Sequence, residues 1–145
     1  MSKLIGYALG MVLILVIGAC QREAFRPEAI DQDYLTLGKG GGMTNQVDTY
    51  YVLADGHVYR HDNLTKVYEP LGRLNRTARS GTFEEAGAID TTSFGCQEPG
   101  NRYYFLALHT QDTVRACTWG RNGFTPPGAI TAFYERTQQR INDLQ

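Results

Sequence analysis

Along the chain, apolar and polar residues alternate with a period of two in several short runs, and fall into helical spacing only near the C-terminus. Tyr34 to Gly38 reads as a first strand that runs into Gly40, Gly41 and Gly42. Val47 to Ala54 is rich in β-branched and aromatic residues, and Asp55-Gly56 then offers a two-residue type I′ turn into His57 to His61. Lys66 to Leu71 is a further short strand, which Pro70 places at a sheet edge because proline cannot donate to a ladder. From Asn75 to Ala88 the strand pattern lapses. Thr82 to Ala86 reads as a short helix there, weakened by Gly81 and Gly87. Arg102 to His109 is nearly continuous in apolar residues, as expected of a strand buried on both faces, and Thr110 to Asp112 turns it back into Thr113 to Trp119. This second hairpin is expected at the centre of the sheet. Pro126 and Pro127 precede Ile130, Phe133, Tyr134, Thr137, Ile141 and Leu144, which recur on one face of an amphipathic helix. Hairpins interrupted by two helices predict an α+β fold, with an antiparallel sheet of about five short strands, one short middle helix and a C-terminal helix packed on the sheet.

The N-terminal segment follows a different pattern. Lys3 is the only charged residue before Arg22, and Leu4 to Ile17 is uninterrupted by charge before Gly18, Ala19 and Cys20. A positive start, a short apolar run and small residues at its end are the layout of a signal peptide. The run is shorter than the roughly 20 apolar residues that span a bilayer. An uncleaved anchor with local bilayer thinning is the alternative. Ile17-Gly18-Ala19-Cys20 resembles a bacterial lipobox. That resemblance implies a diacylglycerol on the Cys20 sulfur, cleavage just before it, and acylation of the new amino group. Two or more acyl chains anchor stably where one does not. Gln21, in place of the aspartate that retains lipoproteins at the inner membrane in enterobacteria, favours the outer membrane of the cell envelope. The expected organisation is a signal peptide over residues 1–19, a lipidated tether over 20–32, polar with Pro27 and no period, and one domain over 33–145.

Of 145 residues, 14 are Lys or Arg and 15 are Asp or Glu, a net charge of −1. This excludes a protein whose main partner is a phosphate backbone, since such binding rests on clustered positive charge. With Cys20 assigned to lipid, Cys96 and Cys117 remain as a pair in an oxidising compartment. They are expected to form a disulfide; the alternatives are two buried thiols, or a zinc site, for which they lack CxxC spacing.

The residues carry little catalytic chemistry. GxSxG, HExxH and CxxC are absent, and serine occurs only at 2, 80 and 93. Gly38-Lys39-Gly40-Gly41-Gly42-Met43-Thr44 resembles a phosphate loop in composition, but its Lys and Thr are in the wrong order. Its glycines serve either a tight backbone approach or an exposed segment that binds a partner, and Gly40, Gly41 and Gly42 are the binding candidates. His57 and His61 share a strand face with Tyr59 between them, but strand residues four apart are separated by roughly 13 Å, too far to share one ion without bending. His109, at a strand end, has no partner in sequence. Arg73, Arg76 and Arg79 are spaced to share one helix side, as a solvated face or a contact for anionic lipid or an acidic patch. No metal and no cofactor is called for.

The order of glycine segment, tyrosine-rich strand, Asp-Gly hairpin, short helix, YYFLAL strand and terminal helix after proline resembles small lipoproteins of Bacteroidetes-type bacteria. More distantly, over residues 35–141, it resembles emfourin-like inhibitors of thermolysin-type proteases, with Gly40 to Gly42 as the matching residues and a longer hairpin at Asp55-Gly56 as a departure. The function these readings imply is a non-catalytic binding or accessory module, held at the membrane by its lipid, with a protein partner in the envelope. A protease inhibitor is one alternative and a small envelope enzyme another.

Overall fold

The structure is a computed structural model that describes residues 24–145. The lipobox, with Cys20, lies outside the described residues. Seven strands form one sheet: β1 (Tyr34–Gly41), β2 (Gln46–Leu53), β3 (His57–Asp62), β4 (Val67–Arg73), β5 (Gln97–Glu98), β6 (Arg102–His109) and β7 (Val114–Trp119). Among the described residues two α-helices complete it, α1 (Arg76–Ala88) and α2 (Gly128–Asn142). The strand order is β4-β3-β2-β1-β6-β7-β5. The α+β class therefore holds, but the sheet is larger than five strands and is mixed, because β5 runs parallel to β7. Two residues flanked by loop carry too little pattern to mark a strand in sequence.

The sheet centre also differs from expectation. The β6–β7 hairpin lies toward one side, and β1 is central, pairing antiparallel with β2 and β6 along its full length. Hydrophobicity alone favoured β6 over β1, whose C-terminal half is glycine but for Lys39. Pro70 does lie on an edge strand, β4, whose register with β3 shifts between Val58 and Tyr59. The β2–β3 turn is not type I′, which needs two left-handed residues. Only Gly56 takes positive φ, at 97°, and its N–H donates to the Leu53 carbonyl, so the loop is Ala54-Asp55-Gly56.

Alternation along the strands sends Leu35, Leu37, Val52, Val58, Leu106 and Cys117 to one face, where all are fully buried. The helices cover that face. Ile130, Phe133, Tyr134, Thr137 and Ile141 form the buried stripe of α2, as the helical spacing predicts, with Leu144 partly buried beyond it. Helix α1 begins at Arg76, well before the short Thr82–Ala86 segment, because the Asn75 side chain accepts a hydrogen bond from the Ala78 N–H and caps it. The helices are joined through Glu85, whose carboxylate accepts from Arg136 Nε (3.0 Å) and Arg140 Nη2 (2.8 Å). Arg140 also donates to Thr82 Oγ1 at 2.8 Å. Among the described residues no helix is long and apolar enough to cross a membrane.

Cys96 and Cys117 form a disulfide, with Cα atoms 4.5 Å apart. It fastens the segment before β5 to β7, where the Gly95 N–H also donates to the Ala116 carbonyl. Closing a loop of this size removes unfolded-state entropy equivalent to about 3 kcal/mol. Replacing both cysteines by serine is expected to lower the unfolding free energy by about that amount, read from the denaturant midpoint under oxidising conditions. The wild-type protein should lose the same increment on reduction.

Candidate binding surfaces

The glycine segment is built into the centre of the sheet. Gly38 and Gly40 project to the face away from the helices, where neighbouring rings lie over them. A Cβ on Gly40 would approach the Tyr103 ring to 2.7 Å, and one on Gly38 would meet the Phe105 ring at 2.8 Å and the Asp48 carbonyl. Gly41, at φ 91°, abuts the Asn101 carbonyl, which accepts the Gly42 N–H at 2.7 Å. Gly41 pairs with Gln46 on one side and Arg102 on the other, so its backbone is engaged within the sheet. What remains open around these residues is a polar groove of about 320 Å³, lined by Lys39, Gly40, Gly41, Thr44, Arg102 and Tyr104 among others.

Beside this groove two turns present apolar tips. Met43, in the β1–β2 turn, is fully exposed, and Leu64, in the β3–β4 turn, is 58% exposed. The turns are fastened to each other by Asn63: its side-chain oxygen accepts from the Val47 N–H at 2.7 Å and its amide donates to the Asn45 carbonyl at 3.0 Å. Asp62 adds a bond from the Leu64 N–H at 2.8 Å. Sequence reasoning singled out the glycines and passed over these tips. The available signal was an apolar residue at each turn centre, where polar residues are the norm.

The sheet face away from the helices is aromatic. Tyr34, Tyr51, Tyr59, Tyr68, His57, His61 and His109 alternate onto it from five consecutive strands of the sheet, β4-β3-β2-β1-β6. Residues 24–32, the second part of the expected tether, lie against it. Phe25 stacks on Tyr59 at 3.9 Å and meets Tyr51 and Tyr68 edge-on, while Gln32 accepts a hydrogen bond from the Asp55 N–H. Burial, reinforced by Tyr68, pushes the Tyr51 phenol up to about 12. An open groove of about 940 Å³ runs beside Phe25, with Tyr59, Tyr68 and Pro70 as its apolar lining and Lys66 and Arg73 as its cations.

The histidines separate. His57 Nδ1 lies 3.0 Å from the Asp55 carboxylate, whereas His61 stacks on Tyr68 at 4.4 Å. Burial would raise the Asp55 carboxyl, but hydrogen bonds from His57 outweigh it and hold the group below its ordinary range. Among the described residues no three His, Cys, Asp or Glu side chains converge to hold a metal ion. Arg73 ends β4 rather than joining a helix; it and Arg79 both donate to the Asp55 carbonyl, while Arg76 starts α1. His109 stacks on Tyr34 at 4.2 Å and shares a 3.1 Å hydrogen bond with Thr36 Oγ1.

No protein-family model matches the chain, and no curated protein matches it in sequence.

Two outcomes follow from this geometry. Gly40→Ala is expected to destabilise the fold by about 1–3 kcal/mol through overpacking against Tyr103, measurable by thermal or denaturant unfolding. His109 is held by burial below its ordinary value of 6.5, so the unfolded chain takes up this proton more readily than the folded one. Stability should therefore fall as pH drops below about 6.5, and His109→Asn should flatten that part of the pH–stability curve.

Proposed function

We infer that the chain is a lipid-anchored envelope protein whose folded part is a non-catalytic binding module, presenting the Met43 and Leu64 tips to a protein partner. The anchor part of this reading rests on the lipobox at Ile17 to Cys20. The observation that carries the binding part is the exposure of two large apolar side chains on turns that are locked together. A thioether or isobutyl group in water gains by burial, at about 25 cal/mol per Å². Rigid turns spare a partner the entropy of ordering them. Methionine is unbranched and polarizable, which suits an irregular pocket. The neighbouring Lys39, Thr44 and Arg102 supply a polar rim, so the site has an apolar centre and a hydrogen-bonding border, the usual anatomy of a recognition patch.

The test combines two substitutions with site-specific crosslinking in intact cells. A photo-crosslinking residue at position 43 is expected to give a discrete protein adduct, and one at exposed Glu135 on α2 none. Met43→Asp and Leu64→Asp should each change the unfolding free energy by less than about 0.5 kcal/mol, as surface substitutions do. Combined with a crosslinker at the other tip, either should reduce the adduct. Only monomer at both tips would overturn the binding reading. Cys20→Ser is expected to abolish incorporation of labelled fatty acid and to release the chain from membranes; unchanged labelling would overturn the anchor.

A further inference from the structure

We propose that the aromatic groove beside Phe25 is a phospholipid-facing surface, which docks at headgroup level on the membrane that holds the lipid of Cys20. The proposal rests on the lipid-anchor reading above and adds to it which face of the domain meets the bilayer.

Three observations point to this occupant. The first is where the chain enters. Ala24 and Phe25 themselves line the groove, and four residue steps separate Ala24 from Cys20. Fully extended, four steps span at most about 14 Å, so a lipid on Cys20 is confined to the neighbourhood of this face. The headgroup layer of one leaflet is about 5–8 Å deep, which leaves little distance to bridge. The second is the chemistry of the lining. Tyr59 and Tyr68 offer a flat apolar body with a polar tip, the residue type that settles at membrane–water interfaces. Lys66 and Arg73 stand at opposite ends of β4, and among the described residues no carboxylate lines the groove, a distribution that matches anionic phosphate groups rather than a cationic partner. Asp55, next to His57, is already engaged by that side chain. The third is the seating of Phe25. Its stacking on Tyr59 and edge contacts with Tyr51 and Tyr68 pin the chain to the sheet, so the domain is held by a fixed point on this face and does not pivot at the end of a long leash.

The experiment uses the full chain, processed in its host and reconstituted into vesicles of phosphatidylethanolamine and phosphatidylglycerol whose acyl chains are brominated near the glycerol. Mass spectrometry of the same sample reads the lipid on Cys20. Val67, on the edge strand at the groove and 59% exposed, is replaced by tryptophan; Glu135→Trp on α2 is the control for the opposite side. Native Trp119 is buried toward the helices and serves as the internal reference. The expected result is bromine quenching of V67W and none of E135W. In the V67W background, Lys66→Gln should shift the docked-to-undocked ratio about fivefold toward undocked, the value of one cation near an anionic surface. Replacing phosphatidylglycerol with phosphatidylcholine should lower quenching in the same direction. A lipidated sample in which V67W is no more quenched than E135W overturns the docking and leaves the anchor intact. An unmodified Cys20 overturns the anchor reading and the docking with it. Quenching that ignores both Lys66 and lipid charge overturns the electrostatic recognition of the headgroup.

Discussion

Everything in the molecule is arranged around β1, a strand that must accept a neighbour along both edges while aromatic rings press on its outer face. Backbone pairing with β2 and β6 over Tyr34 to Gly41 joins the N-terminal meander to the later hairpin. Without that strand the two halves have no shared ladder. Its glycines are what permit the fit: at Gly38 and Gly40 even a methyl group would intrude on Phe105, Tyr103 or the Asp48 carbonyl. The Tyr134 hydroxyl, brought by α2, donates to the Gly38 carbonyl at 3.2 Å, which ties the second layer to the same strand. Close packing of rings over glycine recovers apolar burial that glycine itself cannot supply.

From this centre the two faces acquire different chemistry. One is closed by α1 and α2 over aliphatic residues, with Glu85 held between Arg136 and Arg140 at the helix junction. Burial pushes the Glu85 carboxyl up, but the two guanidinium groups prevail and hold it below the usual range. Neither α1 nor α2 covers the other face. Tyrosine and histidine occupy it because such side chains keep a polar tip available while their rings cover the sheet. The N-terminal segment covers part of it through Phe25. The N-terminal segment is thus fastened to this aromatic face, while the turns carrying Met43 and Leu64 stand at the sheet's end, so the two surfaces differ in chemistry and in place.

Much of this organisation was legible in the sequence, for reasons local to each segment. β-Branched and aromatic residues flanking the Asp55-Gly56 turn marked β2 and β3, a continuous apolar run marked β6, and helical spacing named the residues that α2 buries. The pair Cys96 and Cys117 followed from cysteine count and compartment. Other features escaped because no local pattern encodes them. Helix α1 was shortened because glycines at 81 and 87 lower propensity, while its start depends on a single capping bond from Asn75. The two-residue β5 exists only because β7 stands beside it. Phe25 looks like an isolated apolar residue in a polar stretch until Tyr51, Tyr59 and Tyr68 are assembled beneath it.

By itself the sequence determined the class of fold, the hairpins, the face that α2 buries and the lipid-anchor expectation, since each depends on residues close together in the chain. Only the tertiary structure decided that the glycine strand is central, that the turns carrying Met43 and Leu64 are fastened by Asn63, and that Phe25 is seated on an aromatic face. Those are contacts between segments distant in sequence, and the order in which strands pair is set by the packing of whole faces rather than by the pattern within any one of them.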